Sequence, residues 1–164
     1  MSSSGVESIY SVDTSSLMDW HDRWYPVDVF PGLIKLFDGM IEQKRVLIAE
    51  TVDEEIKAVG SAGLQSWAKT RKAIFEPTAA HLAEALNIEG AYPGMKDPRA
   101  PYTEADAYVI AVAKLHGGIV VTQETPSSAK NRPKRTHFIP DVCSGLGIPC
   151  INILGMMRRE GWRL

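Results

Sequence analysis

Acidic side chains stand next to several predicted strands of this chain. In the stretch SIYSVDTSSLMDW, residues 8 to 20, a short apolar run, Ile9–Val12, is followed directly by Asp13. Taken alone, Asp13 followed by small hydroxyl residues is typical of an Asx turn or a helix N-cap. In an open parallel sheet, however, the carboxyl ends of the strands and the N-termini of the helices share one edge. We therefore expect Asp13 to meet four more acids at this edge, namely Glu55, Asp106, Glu124 and Asp141.

Helical periodicity separates two neighbouring acids in the segment TVDEEIK. At about 100° per residue, Val52, Ile56 and Val59 form an apolar stripe, and Glu55 lies nearer to it than Glu54 does. This spacing predicts that Glu55 faces the site and that Glu54 faces solvent. A boundary shift of a few residues would exchange the two.

Asp106 has both a structural and a chemical interpretation. Thr103 can serve as an N-cap with Asp106 at the third helical position, which is close to a capping box and suits the helix dipole. The following residues, AYVIAVA, are apolar on nearly all sides and indicate a buried helix. An acid on such a helix is expected to point inward, so the two interpretations are compatible.

Clustered carboxylates imply a cation. Like charges repel and raise one another's pKa unless a positive charge neutralises them. Oxygen donors without His or Cys partners suit hard ions, so Mg²⁺ or Mn²⁺ is expected rather than zinc. The histidines have no ligand spacing in the sequence and are interpreted as surface or packing residues: His21, His81, His116 and His137.

A basic segment, KNRPKR, follows Glu124 at residues 130 to 135. The proline prevents a regular helix, and a solvated loop is the simplest interpretation. Beside an acidic edge that holds a dication, the same segment would instead hold the phosphates that flank a phosphodiester bond. The candidate RNA-binding residues are Lys130, Arg132, Lys134 and Arg135.

The elements that must position these groups alternate along the chain. Strands are predicted at Ile9–Val12, Val46–Ala49, Ile119–Thr122 and Cys150–Leu154. Helices are predicted at Val29–Gln43, at Val52–Trp67 or beyond, at Thr78–Leu86 and at Glu104–His116. Alternation of this kind requires crossover connections. It predicts an α/β fold, a three-layer α/β/α sandwich with a mainly parallel central sheet. Residues 1–7 are expected to be a disordered N-terminus and residues 8–164 a single domain.

Composition excludes some classes of protein. The net charge of −2 argues against a surface coated in basic charge but allows a local basic patch. No apolar run approaches the roughly 20 residues that span a bilayer, and no signal peptide is visible, so a cytoplasmic protein without a membrane segment is expected. Cys143 and Cys150 lack metal or redox spacing and are interpreted as reduced packing residues.

The order of these segments resembles the PIN-domain ribonucleases, many of which are toxins of toxin-antitoxin pairs. The resemblance is carried by YSVDTSSL at the first strand, VDEEI after the second, EADAYVIAVA at the buried helix and IVVTQE at the next strand. It implies a PIN-like fold, acids that chelate Mg²⁺ or Mn²⁺, and cleavage of RNA. By position it assigns Asp13, Glu55, Asp106 and Glu124 to the catalytic set, with Ser15 and Thr122 in support.

Two departures from that family bear on the site. The last acid is commonly Asp, whereas Glu124 has a longer side chain, and Asp141 is therefore an alternative or additional metal ligand beside Asp13, Asp106 and Glu124. The segment IPDVCSGLGIPCINILGMMRREGW resembles a less-characterised PIN-like branch. The resemblance also implies a cognate antitoxin and a homodimer.

Other classes of function remain alternatives. A catalytically inactive PIN-like module that binds RNA or protein would have the same fold. A phosphatase of the haloacid dehalogenase type requires a second acid two residues after the first, and this chain has Ser15 at that position. A receiver domain requires an acidic pair early in the sequence, and this chain lacks one.

Overall fold

Five short strands form one parallel sheet in the computed structural model, which describes residues 7–71, 74–101 and 103–163. The predicted disorder of residues 1–7 lies outside these ranges except at Glu7. The strands are β1 (Tyr10–Val12), β2 (Val46–Ala49), β3 (Phe75–Glu76), β4 (Ile119–Val121) and β5 (Cys150–Ile151). The described α-helices are α1 (Thr14–Met18), α2 (Pro31–Glu42), α3 (Glu50–Val59), α4 (Ala62–Lys69), α5 (Thr78–Ala91), α6 (Asp106–His116), α7 (Ile139–Leu146) and α8 (Ile153–Arg159).

The strand order places β1 at the centre of the sheet. The order is β3-β2-β1-β4-β5, with every neighbouring pair parallel. Helices flank this sheet in the three layers predicted from the alternation of elements, so the predicted fold class is confirmed. The order reverses between β1 and β4, where the connections leave in opposite directions. Such a switch point opens a crevice at the carboxyl ends of the two strands.

Alternating side chains of β1 face different layers. The Ser11 hydroxyl donates a hydrogen bond of 2.7 Å to the carbonyl of Val109 in α6. The Tyr10 hydroxyl donates at 3.0 Å to Glu160, the residue after α8. Because neighbouring residues of a strand point to opposite faces, α6 and the end of α8 cover opposite faces of the sheet.

Helix α6 forms the most buried part of the molecule. All of its residues from Asp106 to Ala113 are buried, as the apolar sequence predicted. The helix begins two residues later than expected, with Ala105 rather than Thr103 at the N-cap and no side-chain capping bond from the described residues. The predicted capping box is therefore wrong.

Three other elements differ from prediction in their bounds or were not predicted. Strand β3 was not predicted, because two residues are too few to show a pattern. The predicted helix Val52–Trp67 is divided into α3 and α4 at Gly60, where a Cβ would lie 2.6 Å from the Ile56 carbonyl oxygen. The strand predicted at Cys150–Leu154 ends early because the Asn152 side chain accepts a hydrogen bond from Gly155 and caps α8.

Two further findings bear on the sequence-based expectations. No helix in the described ranges is long and apolar enough to cross a membrane. Cys143 is buried and Cys150 is half-buried, and both are free thiols.

Candidate metal centre

Asp13 follows β1 directly and lies at the switch point. Its side chain is 4% exposed, and its Oδ2 accepts hydrogen bonds from Ser15 Oγ at 2.7 Å and Thr122 Oγ1 at 2.9 Å. It occupies the N-cap position of α1, but within the described residues its carboxylate makes no capping hydrogen bond. The two predicted supporting residues thus orient Asp13.

Glu55 reaches the same crevice from α3. Its Oε1 accepts hydrogen bonds of 3.1 Å from Thr14 Oγ1 and from the backbone N–H of Ala105. Glu54, its neighbour, is exposed as predicted, although Val59 of the predicted apolar stripe is exposed as well. Thr14 and the N-terminus of α6 therefore fix one oxygen of Glu55, and no other described residue donates to Oε2.

Asp106 is the first residue of α6 and closes the cluster. One carboxylate oxygen from each of Asp13, Glu55 and Asp106 lies within 4.8 Å of the others. Asp13 directly follows β1, Glu55 lies in the middle of α3, and Asp106 begins α6. The predicted convergence of acids at one edge of the sheet is present for these three.

Glu124 joins the cluster through an arginine. Arg135 donates one guanidinium N–H to Asp106 Oδ2 at 2.9 Å and another to Glu124 Oε1 at 3.2 Å. Arg135 also lies 3.7 Å from a carboxylate oxygen of Glu104. The second oxygen of Glu124 accepts a 3.0 Å hydrogen bond from the backbone N–H of Ile139. Arg135 therefore supplies a positive charge inside the acidic cluster.

Burial and mutual repulsion raise the pKa values of the acids. Burial and the charge of Asp13 raise the pKa of Glu55 to about 7. Burial, followed by the charges of Glu124 and Asp13, raises the pKa of Asp106 well above its ordinary value, against the opposing effect of Arg135. Burial also raises the pKa values of Asp13 and Glu124. The cluster consequently favours protons or a metal ion over free carboxylates.

Asp141 has a structural role that was not predicted. Its carboxylate accepts hydrogen bonds from the backbone N–H groups of Phe138 at 2.8 Å and Ser127 at 3.0 Å. Burial would raise the pKa of Asp141, but these hydrogen bonds outweigh it and lower the pKa. The carboxylate caps α7 and fastens the preceding loop. The structure does not bring Asp141 into the group of Asp13, Glu55 and Asp106, and its role as a metal ligand stays a prediction.

The basic segment is only partly the free loop that was expected. Arg135 points inward to the acids, and Lys130 lies 4.3 Å from the ring centroid of Phe138. Arg132 and Lys134 are exposed. The segment lines a cleft of about 670 Å³ that reaches the acidic cluster at Arg135 and Glu104. The basic side chains of this cleft are Arg99, Lys130, Arg132, Lys134 and Arg135.

Sequence reasoning missed three polar contributors to this centre. Thr14 holds Glu55, and Gln123 links the loop after β4 to Asp19 through a 3.1 Å hydrogen bond. The inward direction of Arg135 was also missed. Thr14 stands beside Asp13 in the sequence, so its position was available as a signal. The contacts of Gln123 and Arg135 depend on how distant loops meet, and local sequence patterns do not predict this.

The donor set fits a hard dication. Three carboxylate oxygens converge at the carboxyl ends of the strands, where hydroxyl and backbone donors already orient two of the carboxylates. Oxygen-only donors of this kind suit Mg²⁺ or Mn²⁺. Asp13, Glu55 and Asp106 are the residues that would hold such an ion, with Glu124 beside them.

The fold and this cluster define a class of protein: a doubly wound α/β/α domain with a carboxylate centre at its switch point. The chain belongs to the family described as Domain of unknown function (DUF4411), which it matches over residues 10–164. That match covers every acid of the centre. Comparison of the sequence with curated proteins gives no match.

Proposed function

We propose that this protein is a Mg²⁺- or Mn²⁺-dependent endoribonuclease, with Asp13, Glu55, Asp106 and Glu124 as its catalytic acids. The observation that carries the proposal is the approach of carboxylate oxygens from the first three residues to within 4.8 Å at the switch point. A structural role alone does not explain buried acids that raise one another's pKa. The resemblance of the sequence to PIN-domain ribonucleases supports the same conclusion.

Each acid has a role that its surroundings suit. Asp13 and Asp106 are the central metal ligands, and the bound ion supplies Lewis acidity toward phosphodiester oxygens. Glu55, whose Oε2 accepts no hydrogen bond from the described residues, would accept a proton from the attacking water. Glu124, held by Ile139 and Arg135, stands beside them as a further ligand, either direct or through water.

RNA is the proposed substrate because a basic cleft adjoins the acids. The cleft of about 670 Å³ ends at Arg135, which contacts Asp106 and Glu124. Lysine and arginine side chains in such a cleft neutralise backbone phosphates without reading sequence. A strand that follows the cleft would thus bring one phosphate to the carboxylate centre.

The test is cleavage of a mixed RNA panel by the purified protein with Mg²⁺, Mn²⁺ or EDTA. We expect metal-dependent cleavage that Asp13→Asn and Glu55→Gln reduce by about 100-fold or more. Asp28→Asn and Glu54→Gln are matched controls, because both residues are exposed, and they should leave activity unchanged. Cleavage that survives EDTA and Asp13→Asn would contradict the proposal.

A second candidate is favoured by one specific observation. Arg135 already places a positive charge between Asp106 and Glu124, as expected of a module that no longer needs a metal. Such a module would bind RNA or a protein without cleaving RNA. It would keep RNA affinity in Asp13→Asn and show no cleavage in any metal.

The biological setting is also part of the proposal. The resemblance to PIN toxins supports a cytoplasmic toxin that a cognate antitoxin restrains, and a homodimer. Trp24 and Val29, 68% and 61% exposed, offer apolar surface that a protein partner would cover. Induced expression should slow growth with the wild-type protein and not with Asp13→Asn.

A further inference from the structure

A second group of ligand-type side chains lies at the opposite end of α6. Glu76 ends β3, His81 belongs to the first turns of α5, and His116 is the last residue of α6. One ligand atom from each residue lies within 4.8 Å of the other two. The edge strand and two packed helices thus bring together two imidazoles and one carboxylate.

The Glu76 carboxylate is hydrogen-bonded to His81 and lies close to His116, at separations near those of ligands that share one metal ion. Glu76 Oε2 lies 3.0 Å from His81 Nε2 and 3.7 Å from His116 Nε2. The second distance is too long for a hydrogen bond. Ligand atoms at 2.0–2.1 Å from a tetrahedral zinc ion are about 3.3 Å from one another. Small side-chain adjustments would therefore seat an ion between the three groups.

The burial of His81 supplies an independent observation. The side chain is 4% exposed, its Nε2 points at Glu76, and its Nδ1 has no hydrogen-bond partner among the described residues. Buried polar atoms normally have partners, and the hydrogen bond to Glu76 leaves the second nitrogen of this imidazole without one among the described residues. The His116 side chain is 38% exposed, which leaves one side open to a solvent ligand.

This group is separate from the carboxylate centre and has different chemistry. Asp106 and His116 are the first and last residues of α6, and ten residues of helix correspond to about 15 Å. Two imidazoles and one carboxylate are typical zinc ligands, whereas Mg²⁺ prefers oxygen. The sequence interpretation of these histidines as packing residues missed the group because its members are far apart in the chain.

We propose that Glu76, His81 and His116 bind one Zn²⁺ ion, with a water molecule as the fourth ligand. The ion would join β3, α5 and α6 and so stabilise the edge of the sheet. Because α6 carries Asp106 at its other end, a metal here would also hold the helix that positions the carboxylate centre. The proposal does not depend on the proposed nuclease activity.

The test is Zn²⁺ titration of the full, metal-free chain by calorimetry, with Mg²⁺ as the competing ion. We expect one Zn²⁺ per chain in the wild type and in Asp13→Asn, with no displacement by Mg²⁺. His116→Gln and Glu76→Gln should each weaken binding by about 100-fold or more, since loss of a residue that merely orients a ligand costs about 10–100-fold. His137→Gln is the matched control and should bind as the wild type does.

Two further measurements test whether the His116→Gln variant is folded and which side chains bind the Zn²⁺ ion. Circular dichroism of metal-free His116→Gln, a change at an exposed residue, should match the wild type, so that lost binding reports a lost ligand. X-ray absorption of the zinc-loaded wild type should show two imidazole ligands. Unchanged Zn²⁺ affinity in His116→Gln, binding that Asp13→Asn abolishes, or the absence of Zn²⁺ binding would overturn the proposal.

Discussion

Arg135 is the side chain that most changes the interpretation of the carboxylate centre. The sequence predicted a loop residue for RNA phosphates, whereas the guanidinium donates to Asp106 at 2.9 Å and to Glu124 at 3.2 Å. Clustered carboxylates require a neutralising cation, and Arg135 supplies part of that charge from within the chain. A dication entering the centre must therefore compete with an arginine as well as with protons.

Replacing Arg135 tests this competition. Arg135→Gln removes a charge that attracts the same two carboxylates as the ion, so we expect Mn²⁺ affinity to rise by about tenfold. Titration followed by electron paramagnetic resonance measures this change. Arg132→Gln, an exposed residue of the same loop, is the control and should leave Mn²⁺ affinity unchanged. Weaker Mn²⁺ binding in Arg135→Gln would instead make Arg135 an organiser of the ligands.

Glu55 should make stability depend on pH in an unusual direction. Its pKa is raised from 4.5 to about 7 on folding, so its ionisation opposes folding as pH rises between these values. In metal-free protein, Glu55→Gln should therefore be more stable than the wild type at pH 8, by at most about 3 kcal/mol. The difference should vanish near about pH 3.5, below the unfolded-state pKa, where Glu55 is largely protonated in both states. Urea unfolding at the two pH values measures it, and a pH-independent difference would contradict the assignment.

At the level of elements, local sequence patterns predicted the strands and helices that have clear apolar runs. They missed the shortest strand and the features that depend on tertiary contacts. The strands β1, β2 and β4 and the buried helix α6 follow directly from their apolar runs. Strand β3 is too short to show alternation. Asp13 and Asp106 were found because strand ends and helix starts meet at one edge. The cap formed by Asp141 depends on a loop path that no pattern encodes.

The Asp141 cap gives a prediction that separates structure from metal binding. Asp141→Ala removes acceptors for the N–H groups of Phe138 and Ser127, so we expect a loss of about 0.5–2 kcal/mol in the free energy of unfolding. Mn²⁺ affinity should stay within about twofold of the wild type. Chemical denaturation and Mn²⁺ titration measure the two quantities. A large loss of Mn²⁺ affinity with unchanged stability would support the prediction of Asp141 as a ligand.

For the whole molecule, the reversal of strand order is what gathers acids that are far apart in the chain. Asp13 follows β1, while Thr122 and Glu124 follow β4, and these strands are neighbours in the sheet. Helix α6 runs from this edge to the group of Glu76, His81 and His116. The fold class and the meeting of acids were thus predictable from topology, whereas the second group was not.

Metal binding at the carboxylate centre should stabilise the whole fold in a pH-dependent way. Mg²⁺ requires carboxylates without protons, and the acids here have raised pKa values. We expect saturating Mg²⁺ to raise the Tm by about 5 °C at pH 8 and by much less at pH 5. Asp13→Asn should lose the effect and Asp28→Asn should keep it. An equal rise in Asp13→Asn would mean that Mg²⁺ acts elsewhere.

Because β1 lies at the centre of the sheet, its pairing during translation must wait for strands that are made later. One of the two neighbours of β1 in the sheet, β4, is made more than a hundred residues after Tyr10–Val12. A nascent chain that stops before residue 106 contains two of the four proposed catalytic acids and an open edge of β1. If the chain is a ribonuclease, it stays harmless to the message that encodes it until Asp106 and Glu124 have also been made.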